Sequence, residues 1–152
     1  MTTTVGRVAD LAALAGKQLG YSAWREITQE QVDTFADATD DHQWIHIDAD
    51  RAAAGPFGTT IAHGFLTLSL LVSMWSEILH VDGVRLGINY GLNRVRFPSP
   101  VPVGSRIRAG ATLVSVEDAP DGGHQVVVDF VIEREGSEKP CCVAQGIYRY
   151  YV

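Results

Sequence analysis

The chain has 152 residues, of which 46% are apolar and 20% are charged. This size and composition are typical of one globular domain, so we expect a single domain over residues 1–152. Acidic residues outnumber basic ones, 18 to 12, and the net charge of −6 disfavours nucleic acid and anionic membranes as partners. The two cysteines are adjacent, which implies no disulfide framework, and the longest apolar stretch is too interrupted to span a membrane. These features favour a cytoplasmic protein.

The first half of the chain carries mainly helical patterns. Residues 8–14 form a short helix candidate, and residues 24–27 are a candidate first strand. Thr28 is a good N-cap residue, with Gln31 in the capping-box position. This pair predicts a helix that ends near Ala38.

A polar segment and a long apolar segment follow. Residues 39–50 are interpreted as a loop anchored by its few apolar side chains, and Asp48 is expected to cap a further turn that ends near residue 54. Residues 62–80 are apolar on nearly every side, which predicts one long central helix enclosed by other elements.

The second half has the alternation of an antiparallel strand meander, with a bulge expected near Asn93 and a hairpin loop over residues 118–123. The predicted strands are 86–97, 105–117, 124–135 and 141–151. An antiparallel sheet with one apolar face wrapped around one apolar helix is the α+β hot-dog architecture. Such a sheet leaves an exposed edge strand, so we expect a homodimer.

Two groups of residues could carry acid–base chemistry. Asp41 and His46 lie five positions apart in the polar loop and can activate water if the loop turns between them, although a solvated acidic loop is the commoner reading of such spacing. Asp40 competes with Asp41 for this role. His63 and Gly64 stand where the central helix begins, and its free N–H groups can stabilise an oxyanion or can simply start a buried helix.

A third group is the pair Arg94 and Arg96, which share one face of a strand. In an acidic protein two such arginines can hold an anionic ligand group. A solvated strand face explains the same pattern.

Taken together and in this order, these residues resemble the MaoC-like dehydratases, hot-dog proteins that include the (R)-specific enoyl-CoA hydratases. The resemblance rests on Asp41-x4-His46, on Ala62-His63-Gly64 and on the segment 96–104. It implies reversible syn hydration of trans-2-enoyl thioesters in fatty-acid metabolism, without a cofactor, on a substrate carried by coenzyme A or by acyl carrier protein. The spacer over residues 42–45 replaces the Asn-Pro of many relatives and is similar to the nodulation-protein-N-like subgroup.

The resemblance also implies roles for single residues. Asp41 would orient and activate the water, and His46 would share that water and manage the proton exchanged at the α carbon. Gly64 would donate its amide N–H to the thioester oxygen, and Ser69 would support the catalytic aspartate through its hydroxyl. For substrate binding we expect His63, Arg94 and Arg96.

Three other functions compete with this one. His42 and His46 are four residues apart and could bind a metal together with Asp41, Asp48 or His63, but no glutamate adjoins the first histidine as in the hydrolytic zinc motif, so we expect no metal. A thioesterase on the same fold would attack the carbonyl instead of the β carbon. A non-catalytic protein that binds acyl thioesters would be stabilised by ligand without turnover.

Overall fold

The computed structural model describes residues 1–152. Its first strands are short, and five helices lie between them and the long strands of the second half. In chain order the elements are β1 (Thr3–Val5), a 3-10 helix (Val8–Leu14), β2 (Gln18–Tyr21), β3 (Arg25–Glu26), α1 (Gln29–Thr39), α2 (Trp44–Ile47), α3 (Ala49–Ala53), α4 (Gly64–Ser69), α5 (Leu71–Ile78), β4 (Leu79–Val81), β5 (Leu86–Arg96), β6 (Arg106–Asp118), β7 (His124–Arg134) and β8 (Cys142–Tyr151).

Side-chain caps fix the starts of two helices, as the sequence predicts. Helix α1 begins directly after Thr28, whose hydroxyl accepts a hydrogen bond from the backbone N–H of Gln31 at 3.2 Å. The Asp48 carboxylate accepts one from the N–H of Arg51 at 3.0 Å and begins α3. Each cap satisfies an N–H that has no partner inside its helix.

The main sheet is antiparallel, with strand order β2-β6-β7-β8-β5 and β3 paired with β6. Strands β1 and β4 form a separate parallel pair. The long strands and the hairpin loop at 118–123 lie where the sequence predicts them. Register shifts interrupt β5 between Asn89 and Gly91 and between Leu92 and Arg94, and the second one confirms the bulge expected near Asn93.

The concave face of the sheet closes around α5. Met74 and Ile78 are fully buried against inward-facing strand residues, among them Val128 and Phe130. The indole N–H of Trp75 donates to the Tyr150 hydroxyl at 2.7 Å and ties the helix to β8. This arrangement confirms the predicted α+β hot-dog fold.

Two expectations about the first half are wrong in detail. The predicted central helix, residues 62–80, is divided at Leu70 into α4 and α5, and its last residues form β4 instead. The hydroxyls of Ser69 and Ser73 bond to backbone carbonyls of the helix at 2.7 and 3.1 Å, and such bonds bend helices. The segment 39–50, predicted to be a loop, contains the single turn of α2.

Strand β5 forms one edge of the main sheet, opposite the short strands β2 and β3. All its residues except Val95 are exposed, including the large apolar side chains of Leu86, Ile88, Tyr90 and Leu92. A long exposed apolar edge strand is the feature that proteins usually cover with a partner. No helix in the chain has the length and apolar character needed to cross a membrane.

Candidate active site

The turn after α1 brings Asp41, and not Asp40, next to His46. Asp40 ends α1 in the left-handed conformation, with φ of 61°, and so reverses the direction of the chain. A carboxylate oxygen of Asp41 and one ring nitrogen each of His46 and His63 all lie within 4.8 Å of one another. Asp41 is exposed, whereas both histidines are buried.

His46 is held on α2 with one ring nitrogen fixed and the other free. Its Nδ1 lies 2.7 Å from the carbonyl oxygen of Ile61, and because a carbonyl only accepts, Nδ1 carries the proton. The backbone carbonyl of His46 accepts a hydrogen bond from the side-chain amide of Gln29 at 2.8 Å, and this bond holds α2 against the start of α1. The neutral ring therefore has an unprotonated Nε2 that can act as a base.

The surroundings of His46 favour this neutral form. Burial lowers the pKa of His46 below its ordinary 6.5, and the neighbouring His63 lowers that pKa further, against the raising effects of the Ile61 carbonyl and the Asp41 carboxylate. At neutral pH the side chain is thus ready to take a proton.

His63 lies behind His46, packed between aromatic rings. Its ring stacks on the His46 ring, with the two centroids 3.8 Å apart. The ring of Phe35, on α1, packs on it with a centroid separation of 4.8 Å. Its Nε2 donates a hydrogen bond to the backbone carbonyl of Asp41 at 2.9 Å. Only 2% of the residue is exposed, and Nδ1 is buried without a partner.

A cavity of about 350 Å³ opens in front of His46 and Gly64. Gly64 is the first residue of α4, so its amide N–H has no acceptor within the helix. A Cβ atom at this position would lie 2.9 Å from the ring of Phe97, so only glycine lets the ring pack there. The cavity is otherwise mainly apolar, and its lining comprises Ile45, His46, Phe57, Ile61, Ala62, Gly64, Thr67, Phe97, Pro98, Ser99, Pro100, Val101 and Cys141.

The structure does not bring His42 next to His46, as the competing metal hypothesis requires. His42 is exposed and pairs with Asp37 at 2.8 Å instead of facing His46. The close group of Asp41, His46 and His63 contains a stacked pair of rings tilted by only 23°. The lone pairs of two stacked rings lie in nearly parallel planes. They therefore do not converge on one ion about 2.0–2.1 Å from each nitrogen.

The remaining predicted residues lie apart from the Asp41–His46 pair. The hydroxyl of Ser69 donates to the Phe65 carbonyl at 2.7 Å, and the residue lines a different cavity, beside β5. Arg94 pairs with Asp129 at 3.4 Å. Arg96 adjoins the cavity residue Phe97, and its guanidinium bonds only to a backbone carbonyl.

Sequence reasoning missed several residues of the cavity wall, among them Phe57, Thr67 and Cys141. Thr67 follows Gly64 by three positions, and this spacing places both on one helix face, so helical periodicity was the available signal. Phe57 and Cys141 reach the cavity from distant parts of the chain, for which a single sequence gives no signal.

Comparison with known proteins identifies the family and the fold of the chain. The family model described as "MaoC like domain" matches residues 10–134. The chain is 62% identical to 3-hydroxyacyl-thioester dehydratase Z of Mycobacterium tuberculosis over 147 residues, which are 97% of each chain. It is 43% identical to nodulation protein N of Rhizobium leguminosarum bv. viciae over 142 residues, covering 92% of this chain and 88% of that protein. The solved structure of R-hydratase PhaJ1 from Pseudomonas aeruginosa has the same fold, with a TM-score of 0.75 and 22% identity over 95% of this chain and 84% of that one.

Proposed function

The chain belongs to the family of proteins with a MaoC-like domain, and from this premise we propose that it is a hydro-lyase that reversibly dehydrates (R)-3-hydroxyacyl thioesters to trans-2-enoyl thioesters. The observation that carries the proposal is that His46 and Gly64 line one apolar cavity while Asp41 adjoins His46. The high identity to a dehydratase along nearly the whole chain supports the same reaction.

In the hydration direction Asp41 and His46 hold the reacting water between them. The water oxygen bonds to the β carbon of the enoyl thioester, and one water proton passes to Nε2 of His46. Asp41 accepts the second O–H of the water as a hydrogen bond and stabilises the imidazolium that forms. The imidazolium then gives its proton to the α carbon on the same face, which makes the addition syn, and dehydration follows the reverse course.

Attack at the β carbon moves negative charge to the thioester oxygen. The free amide N–H of Gly64 is proposed as the donor for this oxygen, since it faces the same cavity as His46. The apolar side chains of Phe57, Phe97 and Val101 line the same cavity, and an acyl chain bound against them would displace water and strengthen the interaction.

The substrate is an acyl thioester, and its carrier is proposed from the charges near the cavity. Arg94, Arg106 and Arg108 are engaged by carboxylates. Arg96 has no carboxylate partner and stands beside the cavity residue Phe97, so it is the arginine proposed to meet a phosphate of coenzyme A or of the phosphopantetheine of acyl carrier protein.

The role of Arg96 can be measured with two substrates. Arg96→Gln should raise KM for an enoyl-CoA severalfold and leave KM for the phosphate-free N-acetylcysteamine thioester unchanged. Arg94→Gln, the matched control on the same strand, should change neither value. Equal effects of Arg96→Gln on both substrates would contradict a phosphate contact.

We propose that the protein acts as a homodimer in the cytoplasm. The exposed apolar edge of β5 supports pairing with a second copy, because two such edges satisfy each other's backbone groups. Both cysteines are free and buried, which fits a reducing compartment.

The reaction is tested by the loss of ultraviolet absorbance of crotonyl-CoA and longer trans-2-enoyl-CoA substrates. The wild-type protein should consume the enoyl absorbance and yield (R)-3-hydroxyacyl-CoA. Release of free thiol at the same rate would indicate a thioesterase instead. Thermal stabilisation by acyl-CoA without turnover at any chain length would indicate a binding protein.

A further inference from the structure

His63 is buried behind the catalytic pair and takes no part in the reaction described above. His63 does not line the cavity, although the sequence predicts that it contacts the substrate. Its ring nevertheless contacts three parts of the site, because it stacks on His46, packs on Phe35 and bonds to the backbone of Asp41. We infer that His63 is a positioning residue that fixes the Asp41 backbone and the His46 ring relative to each other; this inference rests on the proposed function.

The first contact acts on Asp41. The Asp41 carboxylate is exposed and accepts one long hydrogen bond, from the Gln43 N–H at 3.4 Å, whereas the Nε2–H of His63 holds the Asp41 backbone carbonyl at 2.9 Å. A carboxylate at a fixed distance from His46 can hold one water in a reactive position, whereas a mobile one spends most of its time elsewhere. The His63 hydrogen bond therefore restrains the Asp41 backbone, from which the exposed carboxylate extends.

The second contact acts on His46. A ring stacked at 3.8 Å blocks rotation of the imidazole and leaves its edge, with Nε2, directed away from His63. The titratable groups close to His46 are Asp41 on one side and His63 on the other. Of these, His63 disfavours the imidazolium form of His46, and Asp41 favours it.

The environment of His63 argues against a purely stabilising role. Its Nδ1 is buried with no hydrogen-bond partner, which is unfavourable for folding. A phenylalanine would fill the space between His46 and Phe35 without a buried polar atom. Histidine supplies both the ring that stacks on His46 and the N–H that donates to the Asp41 carbonyl, whereas phenylalanine would supply only the ring.

Two substitutions separate the two contacts. His63→Phe keeps an aromatic ring against His46 and removes the donor to Asp41, whereas His63→Gln keeps an N–H donor and removes the stacked ring. We expect His63→Phe to lower kcat roughly 10- to 100-fold with little change in KM, because the water is no longer aligned. His63→Gln should retain more of the wild-type kcat than His63→Phe.

Both variants should shift the protonation of His46. Loss of the neighbouring imidazole removes a group that lowers the pKa of His46, so the acid limb of the kcat profile should move to higher pH in each variant. Histidine NMR measures the same shift without turnover, with the His46 resonance assigned from a His46→Gln sample. His80→Gln is the matched control, because His80 is exposed and pairs with Asp82 far from the site.

The two readouts keep the inference and the proposed function distinguishable. If the wild-type protein has no hydratase activity, the proposed function fails, and the NMR titration still tests the contact of His63 with His46. The inference is overturned if folded His63→Phe keeps wild-type kcat, or if neither variant raises the pKa of His46. Equal melting temperatures of wild type and His63→Phe, together with the lower kcat, would support positioning over stabilisation.

Discussion

Gly64→Ala is a small change that should damage the oxyanion donor selectively. The added Cβ would lie 2.9, 3.0 and 3.1 Å from three ring atoms of Phe97, where ordinary contact begins at 3.4 Å. The start of α4 or the ring must therefore move by about half an ångström. Oxyanion donors act over a narrow window of about 2.7–3.1 Å, so a shift of this size moves the Gly64 N–H out of range.

We expect kcat to fall roughly 10- to 100-fold, somewhat less than the 10²–10³ lost when a donor is removed outright. KM should change little, because the walls of the cavity remain. Stability should fall modestly, because the contact with Phe97 costs about 1–3 kcal/mol as overpacking, and the gain of up to about 1 kcal/mol in helix propensity from glycine to alanine offsets only part of it. Steady-state kinetics on an enoyl-CoA and thermal unfolding measure the two effects.

A double-mutant cycle checks the cause of the loss. Combining Gly64→Ala with Phe97→Leu should restore part of kcat, because the smaller side chain relieves the contact. Gly6→Ala is the control, since nothing lies within 4 Å of a Cβ at that position. Wild-type kcat in Gly64→Ala, in a variant whose crystal structure shows the N–H of residue 64 displaced, would refute the assignment of this amide as the oxyanion donor.

Three further predictions concern the acid–base pair and the β5 edge of the sheet. Asp41→Asn should lower kcat about 10²–10⁴-fold and Asp40→Asn less than about threefold, because only Asp41 lies next to His46; the reverse order would exchange their roles. The pKa of His46 is lowered on folding, so the unfolded chain binds more protons in acid, and the free energy of unfolding should fall as the pH drops below about 6.5. Denaturant titrations at several pH values should find a smaller fall in His46→Gln, and an identical fall would contradict the burial argument. Ile88→Glu on β5 should convert the proposed dimer to monomer in analytical ultracentrifugation, and a dimer with an unchanged sedimentation coefficient would exclude this edge as the interface.

The long strands and the capped helices could be predicted because local patterns determine them. The alternation of apolar and polar residues predicted β6 and β7, and the capping hydroxyl of Thr28 predicted the start of α1. The division of the central helix at Leu70 was not predicted, because it depends on which serine hydroxyls turn back to the helix backbone. The same apolar pattern fits a continuous helix and an interrupted one.

The candidate site was predictable by residue type and order but not by arrangement. The spacing of Asp41 and His46 indicated a pair, yet the choice between Asp40 and Asp41 depended on the left-handed turn at Asp40. The burial of His63 behind His46 depends on packing against Phe35, a contact between distant parts of the chain. Local sequence patterns do not contain such contacts.

The most direct test of the account is the stereochemistry of hydration in D₂O. The protein is incubated with a trans-2-enoyl-CoA, and the 3-hydroxyacyl product is analysed by NMR and chiral chromatography. Because His46 passes a water-derived proton to the face that the water attacks, the account predicts one deuterium at the α carbon and a single diastereomer with the (R)-3-hydroxyl from syn addition. A mixture of diastereomers, or release of coenzyme A without a hydroxyacyl product, would contradict it.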